Sequence, residues 1–240
     1  MGKVASKATI KVPNGYVFLD STNTSRFIEL MGNPPRENNF IFAPQNLRWF
    51  AVFSFDPSGY VKDDEKIDAD ALLESKKAAD GPSNEERKRL GMPTLTTVGW
   101  AVTPHYDQQT KRLEWGVRLK NDKEQENVNY SSRLLGRTGV MSAVLVSDLD
   151  TLSADTQEFK TALQQFSFAT GETYSEFKQG DKIAEYGLAA LIMGGAAAVA
   201  TKKGLWAVIG GFFVAFWKII VGVGIAAMAG LGKLFKGKKE

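Results

Sequence analysis

The sequence predicts an α+β fold, an antiparallel β-sheet meander with flanking helices, followed by a C-terminal α-helical membrane anchor. Three observations carry this. Residues 94–147 hold four strand-like segments joined by short polar or glycine-containing links. Segments with helix-capping signals lie before and after them. From Leu205 to Gly232, 28 residues carry a single charge, Lys218. A bilayer core about 30 Å thick is crossed by roughly 20 apolar residues in a helix, so this stretch is long enough to span.

Taken in order, Ala8–Val12 and Tyr16–Leu19 flank Pro13-Asn14-Gly15 and read as a hairpin. Thr24 or Ser25 suits the cap of a short helix through Met31, ended by Gly32-Asn33-Pro34-Pro35 because proline cannot continue it. Trp49–Phe55 is rich in aromatic and branched residues and reads as a buried strand. Asp56-Pro57-Ser58-Gly59 fits a type I turn, with Tyr60-Val61 opening a return strand. Asp68 or Asp70 then caps a helix to about Ala79. The capping box Ser83–Glu86 starts a second helix that ends at Gly91.

The clearest pattern is Arg112–Lys120. Leu113, Trp115, Val117 and Leu119 alternate with Arg112, Glu114, Arg118 and Lys120, the signature of a strand with one wet face. Thr94–Thr103 precedes it; Val128–Leu135 and Val140–Ser147 follow. Short connections make these neighbours antiparallel. Leu152–Phe166 reads as a helix with Ser153 as its cap, and Thr173–Glu176 is another capping box. These boundaries divide the chain into a soluble domain, 1–182, and an anchor with a basic tail, 183–240.

Charge is distributed unevenly. Residues 201–240 carry seven Lys and one Glu, a net of +6, while the rest carries −3. The positive charge therefore flanks the apolar stretch rather than forming a nucleic-acid patch, and no nucleic-acid partner is expected. Lys beside a span marks the cytoplasmic side and attracts anionic lipid headgroups. There is no Cys, hence no disulfide framework and no thiolate metal site. The opening MGKVASKATIKV lacks the apolar run of a signal peptide.

Six motifs keep a fixed order along the chain. They are GYVFLD (15–20), GNPP (32–35), GYVKDDEKIDADALL (59–73), GWAVTPHYD with Leu113 and Trp115, VNYSSRLLGRTGV (128–140) and KIAEYGLAALIMGG (182–195). Together they resemble a bacterial family of predicted membrane-anchored proteins, the domain-of-unknown-function family numbered 2167. The resemblance implies a soluble domain, a C-terminal anchor and a cleaved N-terminal signal peptide. It implies no established activity and no catalytic residues.

Candidate sites are few. Asp63, Asp64, Asp68 and Asp70, with Glu65, form the densest acidic cluster. Calcium prefers several carboxylate oxygens, so the cluster is a candidate cation or partner site. It lacks EF-hand spacing, however, and acids before a helix also serve as caps. His105 is the sole histidine and, without companions, a poor metal ligand; as a base it would lean on Asp107. Arg133 and Arg137 suit either an external anion or internal carboxylates, with the acidic cluster as a candidate partner. Trp49, Trp100 and Trp115 fit the core. No phosphate loop, nucleophile elbow or His-Glu metal helix is present. No catalytic residue, metal or cofactor is expected.

The anchor adds two features. Gly222, Ala226 and Gly230, like Ala190, Gly194 and Ala198, are spaced so that helices can approach closely in lipid, favouring a homo-oligomer. Lys233, Lys236, Lys238 and Lys239 form a basic tail facing lipid headgroups. Tyr186–Ala200, with 15 uncharged residues, falls short of the roughly 17–25 of an ordinary span and reads better as a helix at the interface or packed on protein. The expectation is a non-enzymatic interaction or assembly module at the bacterial cytoplasmic membrane. One span leaves the domain outside and the tail in the cytoplasm; two spans would leave both inside. The alternatives are a cation-dependent hydrolase using Asp63–Asp70, and a membrane-inserting oligomer whose Lys218 lines a pore.

Overall fold

A computed structural model describes residues 1–31, 35–89, 91 and 93–195. The expected stop at Gly32–Pro34, Lys218, the packing residues Gly222, Ala226 and Gly230, and the tail Lys233, Lys236, Lys238 and Lys239 lie outside the described residues. Among those described, no helix is long and apolar enough to cross a membrane.

The architecture is α+β with antiparallel sheets. Strands β3 (Tyr16–Leu19), β4 (Asn39–Pro44), β5 (Phe50–Asp56), β6 (Leu95–Asp107), β7 (Arg112–Asn121), β8 (Glu126–Leu135) and β9 (Val140–Val146) form a seven-stranded sheet. Its order is β3-β4-β5-β9-β8-β7-β6. The β6–β9 meander expected from short links is present, each strand pairing with the next. A small sheet joins β1 (Gly2–Val4), β2 (Ala8–Ile10) and β10 (Phe166–Phe168) in the order β1-β2-β10.

Three helical covers decide where the core sits. On one face, α3 (Leu152–Leu163) inserts Phe159, which is fully buried against Trp49, Phe53 and Tyr130 with centroids 6.0–6.5 Å apart. Truncating such a side chain typically costs about 3–5 kcal/mol. On the opposite face, α1 (Ser21–Leu30) packs Ile28 against Ile41, Phe50 and Val52. Farther along that face, α2 (Ala69–Arg89) and α4 (Leu188–Met193) cover Leu113, Trp115 and Leu135 with Leu72, Leu188 and Leu191. Phe40 and Phe42 face the α3 side while Ile41 and Ala43 face α1. Strands covered on both faces read as continuous apolar runs, as NFIFAP and FAVFSFD do.

Several local expectations are corrected. Residues 8–19 are not a hairpin: β2 pairs with β1 and β10, and β3 with β4. Asp20, not Thr24 or Ser25, caps α1, accepting the Asn23 N–H. Tyr60 opens no return strand; it makes an isolated parallel bridge to Ile183. The two helices expected between residues 68 and 91 are one, running through Pro82, and Glu86 pairs with Arg89 instead of closing a capping box. Asp68 does cap it, accepting the Ala71 N–H at 3.0 Å. The helix after Leu152 stops at Leu163, because Phe166–Phe168 leave it to pair with β2. The capping box at Thr173 is present but starts only a single 3₁₀ turn, Tyr174–Glu176. Residues 188–193 pack on protein, with Leu188, Leu191 and Ile192 buried.

Candidate functional site

The acidic cluster does not converge. Asp63 accepts from Tyr106 Oη and pairs with Lys111 Nζ, both at 2.8 Å. Those hydrogen bonds outweigh desolvation and hold its carboxyl below the usual range. Glu65 reaches a different element, accepting the Ala189 N–H at the start of α4 at 3.0 Å. Asp68 is engaged as a cap, and Asp70 lies in the first turn of α2, where a carboxylate suits the positive helix end. Asp64 is exposed. Among the described residues, no group of three or more His, Asp or Glu is placed to hold a metal ion.

Lys111 is set by the β6–β7 turn. Its φ of +54° lies in the left-handed region, which lets Arg112 resume the strand. The Lys111 ammonium lies over the Tyr174 ring at 4.9 Å, and Tyr174 donates to the Val61 carbonyl at 2.9 Å. A cleft of about 290 Å³ lies beside this turn, with Arg112, Phe166 and Phe168 in its walls. Arg112 donates through Nη2 to the Leu163 carbonyl at 2.9 Å, closing the C-terminal end of α3.

His105 is not in a turn. It stands on β6 opposite Glu114, with Nε2 3.3 Å from Glu114 Oε2, so Glu114 rather than Asp107 is its partner. Glu114 sits on the face expected to be wet, yet it is buried. Lys160 of α3 reaches across that face and pairs with it at 2.9 Å. Alternation along β7 identified the face, but only the position of α3 shows that it is covered. Burial, then the Glu114 charge, push the Tyr130 phenol up. Glu114 and Lys160 were invisible as a pair because 46 residues of sequence separate them.

The two arginines part company. Arg137 pairs with Asp181 through two nitrogens, not with the 63–70 acids. Arg133 is only 9% exposed, and its guanidinium lies 5.0 Å over the Trp115 ring. Among the described residues it makes one side-chain hydrogen bond, to the Ser132 carbonyl, 3.4 Å long. Burial pushes its guanidinium down to about 10, opposed by the charge of Asp56. Asp56 itself accepts from Tyr186 Oη at 2.9 Å. Lys76 of α2, which the sequence did not single out, is partly buried. Burial first and the Arg133 charge second push its ammonium down to about 8. The signal that finds Lys76 is helical phase: it lies one turn after Leu72 on the buried stripe of α2.

Comparisons with known proteins add little chemistry. No curated protein matches the chain. Among solved structures, the solution structure of cyanobacterial PsbP (CyanoP) from Synechocystis sp. PCC 6803 is similar at 10% identity and a TM-score of 0.40. The match covers 70% of this chain and 91% of that one. The family model described as protein of unknown function (DUF2167) matches residues 2–227, nearly the whole chain, and the chain therefore belongs to that family.

Proposed function

We propose that this protein is a membrane-anchored envelope protein whose folded domain serves as a non-enzymatic interaction or assembly module. The observation that carries the reading is the run Leu205–Gly232, 28 residues with one charge, followed by Lys233, Lys236, Lys238 and Lys239. In this reading the run spans the bacterial cytoplasmic membrane once, with the domain outside and the basic tail on anionic headgroups inside. Gly222, Ala226 and Gly230 form a packing face for a homo-oligomer.

The domain supports the reading at its own end. Tyr186–Asp56 and Glu65–Ala189 fasten the segment around α4 to the rest of the fold. Only ten residues then separate Gly194 from Leu205, which keeps the domain close to the bilayer. A cation-dependent hydrolase would need Asp63, Asp64, Asp68 and Asp70 to share one ion, and the fold gives Asp63 and Asp68 separate duties.

Carbonate extraction of membranes from cells expressing the full chain tests the anchor. The protein should stay in the membrane pellet at alkaline pH, and Phe213→Lys with Val214→Lys should release it. Recovery of the unaltered chain in the soluble fraction would rule the anchor out. Cross-linking in detergent tests the packing face: Gly222→Leu with Ala226→Leu should weaken the oligomer ladder.

A further inference from the structure

Arg112 opens β7 directly after the β6–β7 turn and faces the α3 side of the sheet, where its Nη2 meets the Leu163 carbonyl at 2.9 Å. Its cross-strand partner Leu134 shares that face and belongs to the same apolar cluster as Phe166, with Phe168 packed against it. Phe166 and Phe168 stand edge to face, their ring centroids 5.1 Å apart. These four residues line the cleft of about 290 Å³ beside the turn, and the exposed Ser175 stands on its rim. That volume lies at the small end of ligand pockets, which run from roughly 300 to 1,000 Å³.

The two basic residues that line the cleft differ in what they already hold. Lys111 is taken by Asp63 at 2.8 Å and lies over the Tyr174 ring. Arg112 forms no ion pair among the described residues, and of its five N–H donors the Leu163 carbonyl engages one. Asp107, its partner across the β6–β7 turn, spends Oδ1 on the Gln109 and Thr110 N–H groups. The Arg112 Nε is buried and finds no hydrogen-bond partner among the described residues. A buried donor without an acceptor is costly, more so on a charged group. A ligand that brings an acceptor with a negative charge removes that cost.

We propose that Arg112 and the apolar walls around it form a binding site for a small monocarboxylate with an apolar body. The planar guanidinium fork suits the two oxygens of a carboxylate. With Lys111 already neutralised, one open cation matches a single negative charge better than a phosphate monoester, which carries about −1.5 to −2 near neutral pH. Leu134, Phe166 and Phe168 offer the rest of the molecule apolar and aromatic surface. The site lies wholly within the folded domain, so it stands or falls independently of the membrane anchor. The carboxylate can belong to a free acid or to the C-terminus of a short peptide.

The test is thermal unfolding of the full chain in neutral detergent at pH 7 and constant ionic strength. One arm adds 3-phenylpropanoate, and a second adds an N-acetylated tripeptide ending in phenylalanine with a free carboxylate. The matching amides, which lack the charge, and acetate, which lacks the apolar body, are the controls. A saturable rise in melting temperature is expected in at least one carboxylate arm, with a far smaller rise for the controls. A rise with 3-phenylpropanoate identifies a free acid as a sufficient ligand; a rise with the tripeptide alone identifies a peptide C-terminus. Arg112→Gln should weaken the apparent affinity roughly tenfold or more, the worth of a hydrogen bond to a charged group, measured against that variant's own ligand-free melting temperature. Ser175→Trp alters only the exposed rim and should block entry while the ligand-free protein melts as the parent does. No rise in either carboxylate arm, an equal rise with the amides, or an unchanged rise in either variant would overturn the proposal.

Discussion

Arg137 holds Asp181 with two nitrogens, Nε at 2.7 Å from Oδ2 and Nη2 at 2.8 Å from Oδ1. This clasp joins the β8–β9 turn to the segment that leads to α4. The Lys178 N–H adds a third bond to Asp181 at 2.7 Å. Together, Arg137 first, they hold the Asp181 carboxyl down to about 2 from an ordinary 3.8.

A depressed carboxyl stabilises the folded state above its unfolded pKa and loses that contribution as pH falls through its folded pKa. The window here runs from about pH 4 to about pH 2. Urea unfolding of the full chain in detergent at pH 6, 4, 3 and 2 should show Asp181→Asn less stable than the parent at pH 6. The two should converge towards pH 2. A constant difference across this range would show that the clasp does not set the acid sensitivity.

The acids before α2 should separate by role. Asp68→Ala removes a cap and should cost about 0.5–2 kcal/mol. Asp64→Asn alters an exposed side chain and should stay within about 0.5 kcal/mol of the parent. Calcium should shift the melting temperature of neither. A calcium-dependent rise lost in Asp64→Asn would restore the cation-site reading.

Glu114 should be a costly position despite its place on a strand that alternates with polar residues. Glu114→Gln removes the charge that faces Lys160 and His105 and should destabilise by about 1–3 kcal/mol. Lys160→Met should cost less, because the Lys160 side chain is 41% exposed and its pair is partly screened. Equal effects of the two substitutions, read from urea midpoints, would contradict this ranking.

How much of this was legible follows from the range of each interaction. The β6–β9 meander could be read because each strand pairs with its neighbour in sequence and β7 keeps a period of two. The Asp68 cap and the Thr173 capping box are local and were equally readable. The small sheet was not, because it joins residues 2–10 to 166–168, and nothing near Ala8 announces Phe166. The Ser83–Glu86 capping-box pattern suggested a second helix start that α2 does not make; contacts on both sides of it, from Trp100 to Arg87, hold one continuous helix on the sheet. At the candidate sites, Arg133 and Arg137 stood out as residues. Their environments depend on partners from distant elements, Trp115 and Asp181, which sequence spacing does not encode.

The central claim is a folded domain outside the cytoplasmic membrane with its tail inside, and cysteine labelling tests it most directly in this Cys-free chain. Gln108 is exposed in the β6–β7 turn, so Gln108→Cys reports the domain; Gly237→Cys reports the tail. In intact spheroplasts an impermeant maleimide should label Gln108→Cys at once and Gly237→Cys only after lysis. Labelling of both only after lysis would contradict the account and place domain and tail together in the cytoplasm.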